Sequence, residues 1–363
     1  MVQTESVAIG TGPFRRVDSL GPVIAVFDGH NDSLTRKDHA RLATGSEGGH
    51  LDLPRMREGG MRGGIFALFV ESPGDHLDLV HFGSGAFSEP LAGTLPHGPA
   101  AARASAAAGR LFALERAGEV TVARTIGDID AALAEDAPPV AVLSLEGAEP
   151  IDPDLESLPA WYAMGLRVLG PVWSRANDFG TGVQFVMPSS PDIGPGLTDA
   201  GVALVKACAE LGILVDVSHL NEAGFWDVAR LEAGPIVASH SGAHAVAAAS
   251  RNLTDAQLDA IGESGGLVGI VYATSFVRPD FADDPDTPLS AIADHARYVA
   301  DRIGVEHVAL GSDFDGATIP APLGDCAGLP KLLDALGAAG FTEPELEAIA
   351  WHNWRRVLDS WWH

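Results

Sequence analysis

The chain is poor in cysteine, in lysine and in long apolar runs, and each shortage removes a class of explanation. Among 363 residues there are two cysteines, Cys208 and Cys326. They stand far apart and outside any Cys-x-x-Cys pair, so neither a disulfide framework nor a thiolate zinc site is indicated, and both read as buried, reduced thiols. Lysine occurs only at Lys37, Lys206 and Lys331, and the 23 basic residues face 49 acidic ones, a formal charge of -26. Long-range repulsion then opposes contact with phosphate backbones or anionic lipid, which argues against nucleic acid as a partner. The acidic surplus reads as a well-solvated surface. No uninterrupted apolar stretch reaches the ~18 residues that a membrane span requires. The segment Met1 to Gly10 lacks a basic stretch followed by an apolar one, so the expectation is a cytoplasmic protein with no membrane anchor.

What is present is apolar sequence in short, regular doses. With 46% hydrophobic content, the chain reads as one large domain over residues 1–363, since α/β barrels often exceed the usual domain size. Eight runs rich in β-branched residues end in polar or glycine residues: Val23 to Asp28, Gly64 to Val70, Val140 to Leu145, Leu166 to Val172, Ile213 to Ser218, Pro235 to Ser239, Leu267 to Tyr272 and His307 to Ser312. Several lack in/out alternation, as parallel strands covered on both faces do. Helical stretches separate them. From Leu197 to Leu211, the residues Leu197, Leu204, Val205, Cys208 and Leu211 share one face at the 3.6-residue period. Thr254 with Gln257, and Thr342 with Glu345, form capping-box patterns. Alternating strand and helix predicts a parallel sheet, and eight units predict an α/β fold of the (β/α)8 TIM-barrel type, resembling metal-dependent hydrolases. Long Gly- and Pro-rich connections at about 72–100, 178–196 and 273–288 read as loops over an active site.

In such barrels the site lies at the C-terminal strand ends. There stand His30 and Asp32 after the first strand, Glu146 after the third, Trp173 and Arg175 after the fourth, His219 after the fifth, His240 after the sixth, and Asp313 and Asp315 after the eighth. His30 and Asp32, two apart in extended chain, project to one side and can chelate one ion. His219 and His240 can take a second. Two divalent cations side by side need a bridging anion, which Glu146 supplies. Imidazole plus carboxylate ligation suits two zinc ions per chain best among common metals. Asp315 and Glu71 read as helix caps or arginine partners. Nine other histidines, His39, His50, His76, His81, His97, His295, His307, His352 and His363, read as hydrogen-bonded structural groups.

Six segments resemble the membrane dipeptidase (renal dipeptidase) family, the M19 metallopeptidases, from Phe27 to about Trp354. They are Asp28-Gly29-His30-Asn31-Asp32, Leu145-Glu146-Gly147, Val217-Ser218-His219-Leu220, Ser239-His240-Ser241, Arg251-Asn252-Leu253-Thr254-Asp255 and Gly311-Ser312-Asp313-Phe314-Asp315-Gly316. The resemblance implies a (β/α)8 fold, a homodimer, and a binuclear zinc site made of the five ligands named above. It further implies that Asp313 transfers protons and that Arg251 binds the C-terminal carboxylate of a dipeptide. One departure stands out: where well-studied members carry a substrate-binding histidine after strand four, this chain has Trp173. Arg175, or the second zinc alone, is expected to take over polarisation of the scissile carbonyl, with a surface ion pair as the alternative role for Arg175.

The expected reaction is hydrolysis of a dipeptide bond by a metal-bridging hydroxide, with a D-residue accepted at the C-terminal position. An amidohydrolase acting on another amide, lactam or lactone is the first alternative. Such enzymes usually open with His-x-His and bridge their metals with a carboxylated lysine after strand four, and this chain has His-x-Asp and no lysine at a strand end. A metal-free binding barrel is a weaker alternative, because a dead site has no physical reason to keep two imidazoles and three carboxylates close together, and a glycosidase is the weakest, because it leaves His219 and His240 without a task.

Overall fold

The computed structural model describes residues 24–72 and 86–362. The segment Met1 to Gly10, Val23, His76, His81, His363 and much of the first long loop lie outside them. Eight strands occupy the eight apolar runs: β1 (Val26–Asn31), β2 (Met61–Phe69), β3 (Val140–Glu146), β4 (Leu166–Gly170), β5 (Leu214–Val215), β6 (Val237–Ser241), β7 (Leu267–Ile270) and β8 (Val308–Leu310). Nearly every residue in them is buried, as the lack of alternation predicts.

All neighbouring pairs among these strands are parallel, and they form two arcs, β1 to β5 and β6 to β8. The sheet is therefore curled, with helices between strands. Regular pairing does not run continuously around all eight, which differs from the sequence expectation of an unbroken barrel ladder. Single bridges, Asp216 to Val237 and Asn31 to Phe314, stand where the arcs meet. The physical reason lies in two buried aspartates. At one seam the Asp216 side chain accepts the backbone N–H groups of Ser218 and Ser239. At the other, the Asp28 side chain accepts that of Ser312. Amides that a ladder would use go to side chains instead, so β5 and β8 come out shorter than their apolar runs. A Cβ at Gly269 or Gly311 would sit 1.9 Å from the Ser239 carbonyl oxygen, so close approach of β6, β7 and β8 requires glycine there.

The helix read from Leu197 begins at Asp199 and ends at Leu211. Thr198 sets the start, because its side chain accepts from the Gly201 N–H and leaves Leu197 outside. Leu204, Val205 and Cys208 are fully buried, as their spacing predicts. Both capping boxes form, on Thr254 with Gln257 and on Thr342 with Glu345. The long connections carry structure of their own: Val186–Met187 pairs with Phe87–Ser88, and Thr274–Val277 is helical. Both cysteines are free and buried. Among the described residues no helix is long and apolar enough to cross a membrane.

Candidate metal centre

The strand ends converge on one cluster. His30 is the penultimate residue of β1, Glu146 ends β3, and His240 lies in β6. Asp32, His219 and Asp313 follow β1, β5 and β8 within a few residues. Glu146 is the hub. Its Oε1 stands 2.9 Å from His219 Nε2 and 3.6 Å from both His30 Nε2 and His240 Nε2. His30 Nε2 is 3.5 Å from Asp32 Oδ2, and the Nε2 atoms of His219 and His240 are 3.1 Å apart.

Three overlapping trios each bring their ligand atoms within 4.8 Å of one another: His30, Asp32 and Glu146; Glu146, His219 and His240; His30, His240 and Asp313. The first two are the ligand sets expected from the sequence, with Glu146 common to both. Two observations fit divalent cations. His30 Nε2 and Asp32 Oδ1 are buried with no hydrogen-bond partner, a costly arrangement for atoms that a cation would satisfy. The donors are also carboxylate oxygen and imidazole nitrogen, which suits zinc-like ions.

Burial and crowding shift every ionisable group in the cluster. Burial pushes the Glu146 carboxyl well above its usual range, with Asp32 and Asp313 adding to the effect. Burial alone would push His30 down, but Glu146, Asp32 and Asp313 outweigh it and hold the imidazole at about 10. His219 and His240 are driven well down, first by burial and then by the positive charges of Arg251 and His30. Neutral imidazoles are the form that binds metal. Burial lifts Asp313 to about 6, with Asp32 adding and His30 and Arg251 opposing. Its backbone is left-handed, φ 59°, a conformation that costs a non-glycine residue energy and clusters at functional sites.

The cluster floors a cleft of about 1850 Å³ that Trp173, Arg251 and Asp313 also line. Arg251 donates from one terminal nitrogen to the Ser218 carbonyl and from the other to the His240 carbonyl, and its Nε has no partner. Trp173 packs on Phe69, Phe185 and the His219 ring, at centroid distances of 4.9, 5.8 and 5.8 Å. Arg175 is not brought to the cleft. It is fully buried, donates from Nε to Glu149 Oε1 at 2.6 Å and from Nη1 to Ser72 Oγ at 3.0 Å, and lies beside the Phe69 and Trp173 rings. Asp315 pairs with Arg36 at 3.1 Å, as read from sequence. His97, His295 and His307 bond to backbone groups, the structural role expected of them.

Sequence reading missed the groups behind the ligands. Ser174 Oγ lies 3.0 Å from His219 Nδ1 and Ser239 Oγ 2.8 Å from His240 Nδ1, with Asp216 behind Ser239. The available signal was an aspartate in the middle of an apolar run, Ile213-Leu214-Val215-Asp216-Val217, where an unpartnered charge is not tolerated. Gly316 was also passed over. A Cβ there would sit 2.3 Å from both Asp313 Oδ1 and Asp32 Oδ2.

Comparison with known proteins decides the relationship. Residues 14–361 match the model of the membrane dipeptidase family, peptidase family M19. The chain belongs to this family. As an M19 member it is a metallo-dipeptidase, a hydrolase of peptide bonds. The fold is similar to the crystal structure of a metallo peptidase from Rhodobacter sphaeroides liganded with a phosphinate mimic of the dipeptide L-Ala-D-Ala. The TM-score is 0.91 at 45% identity, covering 94% of this chain and 100% of that one. A second M19 metallo peptidase structure, dipeptidase AC, gives a TM-score of 0.88 at 45% identity with the same coverage. A Klebsiella pneumoniae protein known by its place in the pqqA 5' region is 47% identical over 246 residues, 68% of this chain and 90% of the relative.

Proposed function

We propose that this M19 dipeptidase is zinc-dependent and cleaves dipeptides, including those with a D-residue at the C-terminal position, using two ions held by His30, Asp32, Glu146, His219 and His240. The observation that carries the reading is Glu146 Oε1 within 3.6 Å of three imidazole Nε2 atoms. The relative liganded with a mimic of L-Ala-D-Ala supports the stereochemical part. We also read the two sheet arcs and their seam bridges as one closed (β/α)8 barrel, residues 1–363 as one catalytic domain, and the working form as a homodimer.

A pair of divalent ions, when bound, supplies an acidified water and polarises the scissile carbonyl. The chain's own groups do the rest. Arg251, buried in the cleft wall, forks onto the terminal carboxylate of the substrate and sets its register. Asp313 takes the proton of the attacking water on its carboxylate and returns it to the leaving amine. A carboxyl held at about 6 is suited to moving a proton in both directions near neutral pH. Trp173 offers a flat apolar wall beside His219 in place of the family histidine. Arg175 supports that wall from behind through Glu149 and Ser72 and does not touch the substrate.

The test is a panel of dipeptides loaded onto zinc-reconstituted enzyme, with L-Xaa-L-Xaa and L-Xaa-D-Xaa pairs, their C-terminal amides, and tripeptides. Free dipeptides are expected to turn over, and amides and tripeptides to fail. Equal turnover of the amides would remove Arg251 from its role. Zinc-independent turnover would remove the metal reading.

A further inference from the structure

Behind His240 lies a hydrogen-bond chain whose direction follows from the carboxylate at its far end, which can only accept. The Asp216 carboxylate accepts four donors: Ser218 N–H at 3.0 Å, Ser218 Oγ–H at 2.6 Å, Ser239 N–H at 2.9 Å, and Ser239 Oγ–H in a short bond. Both serine hydrogens are thereby committed to Asp216, because these bonds are far shorter than the 3.3 Å contact between Ser218 Oγ and Ser239 Oγ. Ser218 Oγ uses its lone pairs to accept the His240 backbone N–H at 3.1 Å. Ser239 Oγ, 2.8 Å from His240 Nδ1, has no hydrogen left to give. The ring must therefore donate, which places the imidazole hydrogen on Nδ1 and leaves the Nε2 lone pair facing Glu146 and His219. All of these residues are buried, so water does not compete for the links.

From this geometry we infer that Asp216 and Ser239 are positioning residues that lock His240 in the Nδ1–H tautomer, the form required of a ligand that binds through Nε2. The inference rests on His240 being a metal ligand, but the tautomer itself does not depend on any ion. A carboxylate that merely stapled β5 to β6 would need only the two backbone N–H bonds. The serine hydroxyl placed between carboxylate and ring is what transmits direction. A neutral imidazole left to itself distributes its hydrogen over both nitrogens, and groups that orient a metal-binding histidine commonly contribute 10- to 100-fold in metal affinity.

Asp216→Asn is the decisive variant because it keeps the shape and reverses the chain. An amide N–H facing Ser239 Oγ turns that hydroxyl into a donor toward Nδ1 and drives the ring hydrogen onto Nε2. The measurement is a long-range proton–nitrogen spectrum of the full chain labelled at histidine, recorded before and after zinc addition, alongside a calorimetric zinc titration. In the unaltered protein His240 Nδ1 is expected to be protonated. In Asp216→Asn that signal should move to the Nε2–H form, and zinc affinity should fall about 10- to 100-fold. If Asp216→Asn does not fold, Ser239→Ala, which removes one oxygen, is read by the same signals and should populate the Nε2–H form with a similar loss. An unprotonated Nδ1 in the unaltered protein, or an unchanged tautomer in a folded variant, overturns the inference. Failure of the unaltered protein to bind zinc would instead overturn the zinc-dependent reading and leave the tautomer result standing.

Discussion

Glu146 and Glu149 leave the end of β3 three residues apart, both buried, and meet opposite surroundings. Glu149 faces Arg175 at 2.6 Å, with side-chain exposures of 1% and 0%. One atom of each side chain lacks a hydrogen bond, yet the charges cancel within the pair. Glu146 shares its space with Asp32 and Asp313, and among the described residues the positive or neutral donors beside it are Arg251 and the imidazoles. Its negative neighbours call for more positive charge than the chain provides. The difference separates a buried pair that holds structure from a buried cluster set up for cations: the first is balanced by the protein, and the second requires something from outside.

Exchanging the two glutamates' fates is the strongest way to break this comparison. Glu146→Gln removes the shared oxygen's charge and is expected to abolish paired metal uptake and to lower kcat/KM by roughly 10³-fold, several kcal/mol of charge stabilisation. The melting temperature of the metal-free protein should stay level or rise, because a crowded carboxylate has been relieved. Arg175→Ala should do the reverse. It strands Glu149 in the interior and is expected to cost about 3–5 kcal/mol in urea unfolding, with zinc stoichiometry retained in the folded fraction. Unchanged stability together with a collapse of kcat/KM would return Arg175 to the direct substrate role considered from sequence.

The balanced side of the comparison can be sharpened by pH. His295 is buried, accepts the Ala243 N–H at 2.8 Å and lies 3.2 Å from the Val277 carbonyl. Burial lowers it from 6.5 to about 4. The unfolded chain takes up a proton as pH falls below about 6.5, and the native state refuses it until about 4. Stability present above 6.5 should therefore drain away through that window, by about 3 kcal/mol from this residue. Urea unfolding of the protein and of His295→Gln at pH 7.5 and 4.5 should show a shallower loss in the variant. A smaller effect belongs to the metal side. Gly316→Ala pushes a methyl against the carboxylates of Asp32 and Asp313, and overpacking of this kind costs about 1–3 kcal/mol. It should appear as reduced kcat/KM and zinc affinity together with a modestly lower unfolding midpoint.

The proposed ligands were legible because each stands at or just beyond the end of an apolar run, and a run of β-branched residues identifies a strand without reference to the rest of the molecule. His30, Glu146, His219, His240 and Asp313 could be placed on that basis, and Arg251 through a family motif. The ends of β5 and β8 were not legible. There Asp216 and Asp28 divert backbone amides from the ladder, a competition set by side chains packed across a seam. Arg175 shows the same limit. Its partner Glu149 lies 26 residues earlier, and nothing in the local pattern says whether a guanidinium after a strand will face the cleft or turn away from it. The seam that hid the strand ends also holds the device behind His240.

Metal counting tests the central claim most directly. Protein stripped with chelator, equilibrated with excess zinc and freed of unbound ion should retain two zinc ions per chain, and Glu146→Gln treated alongside should fail to retain the pair. Retention of fewer than two ions by the unaltered chain, or of two by Glu146→Gln, would contradict it.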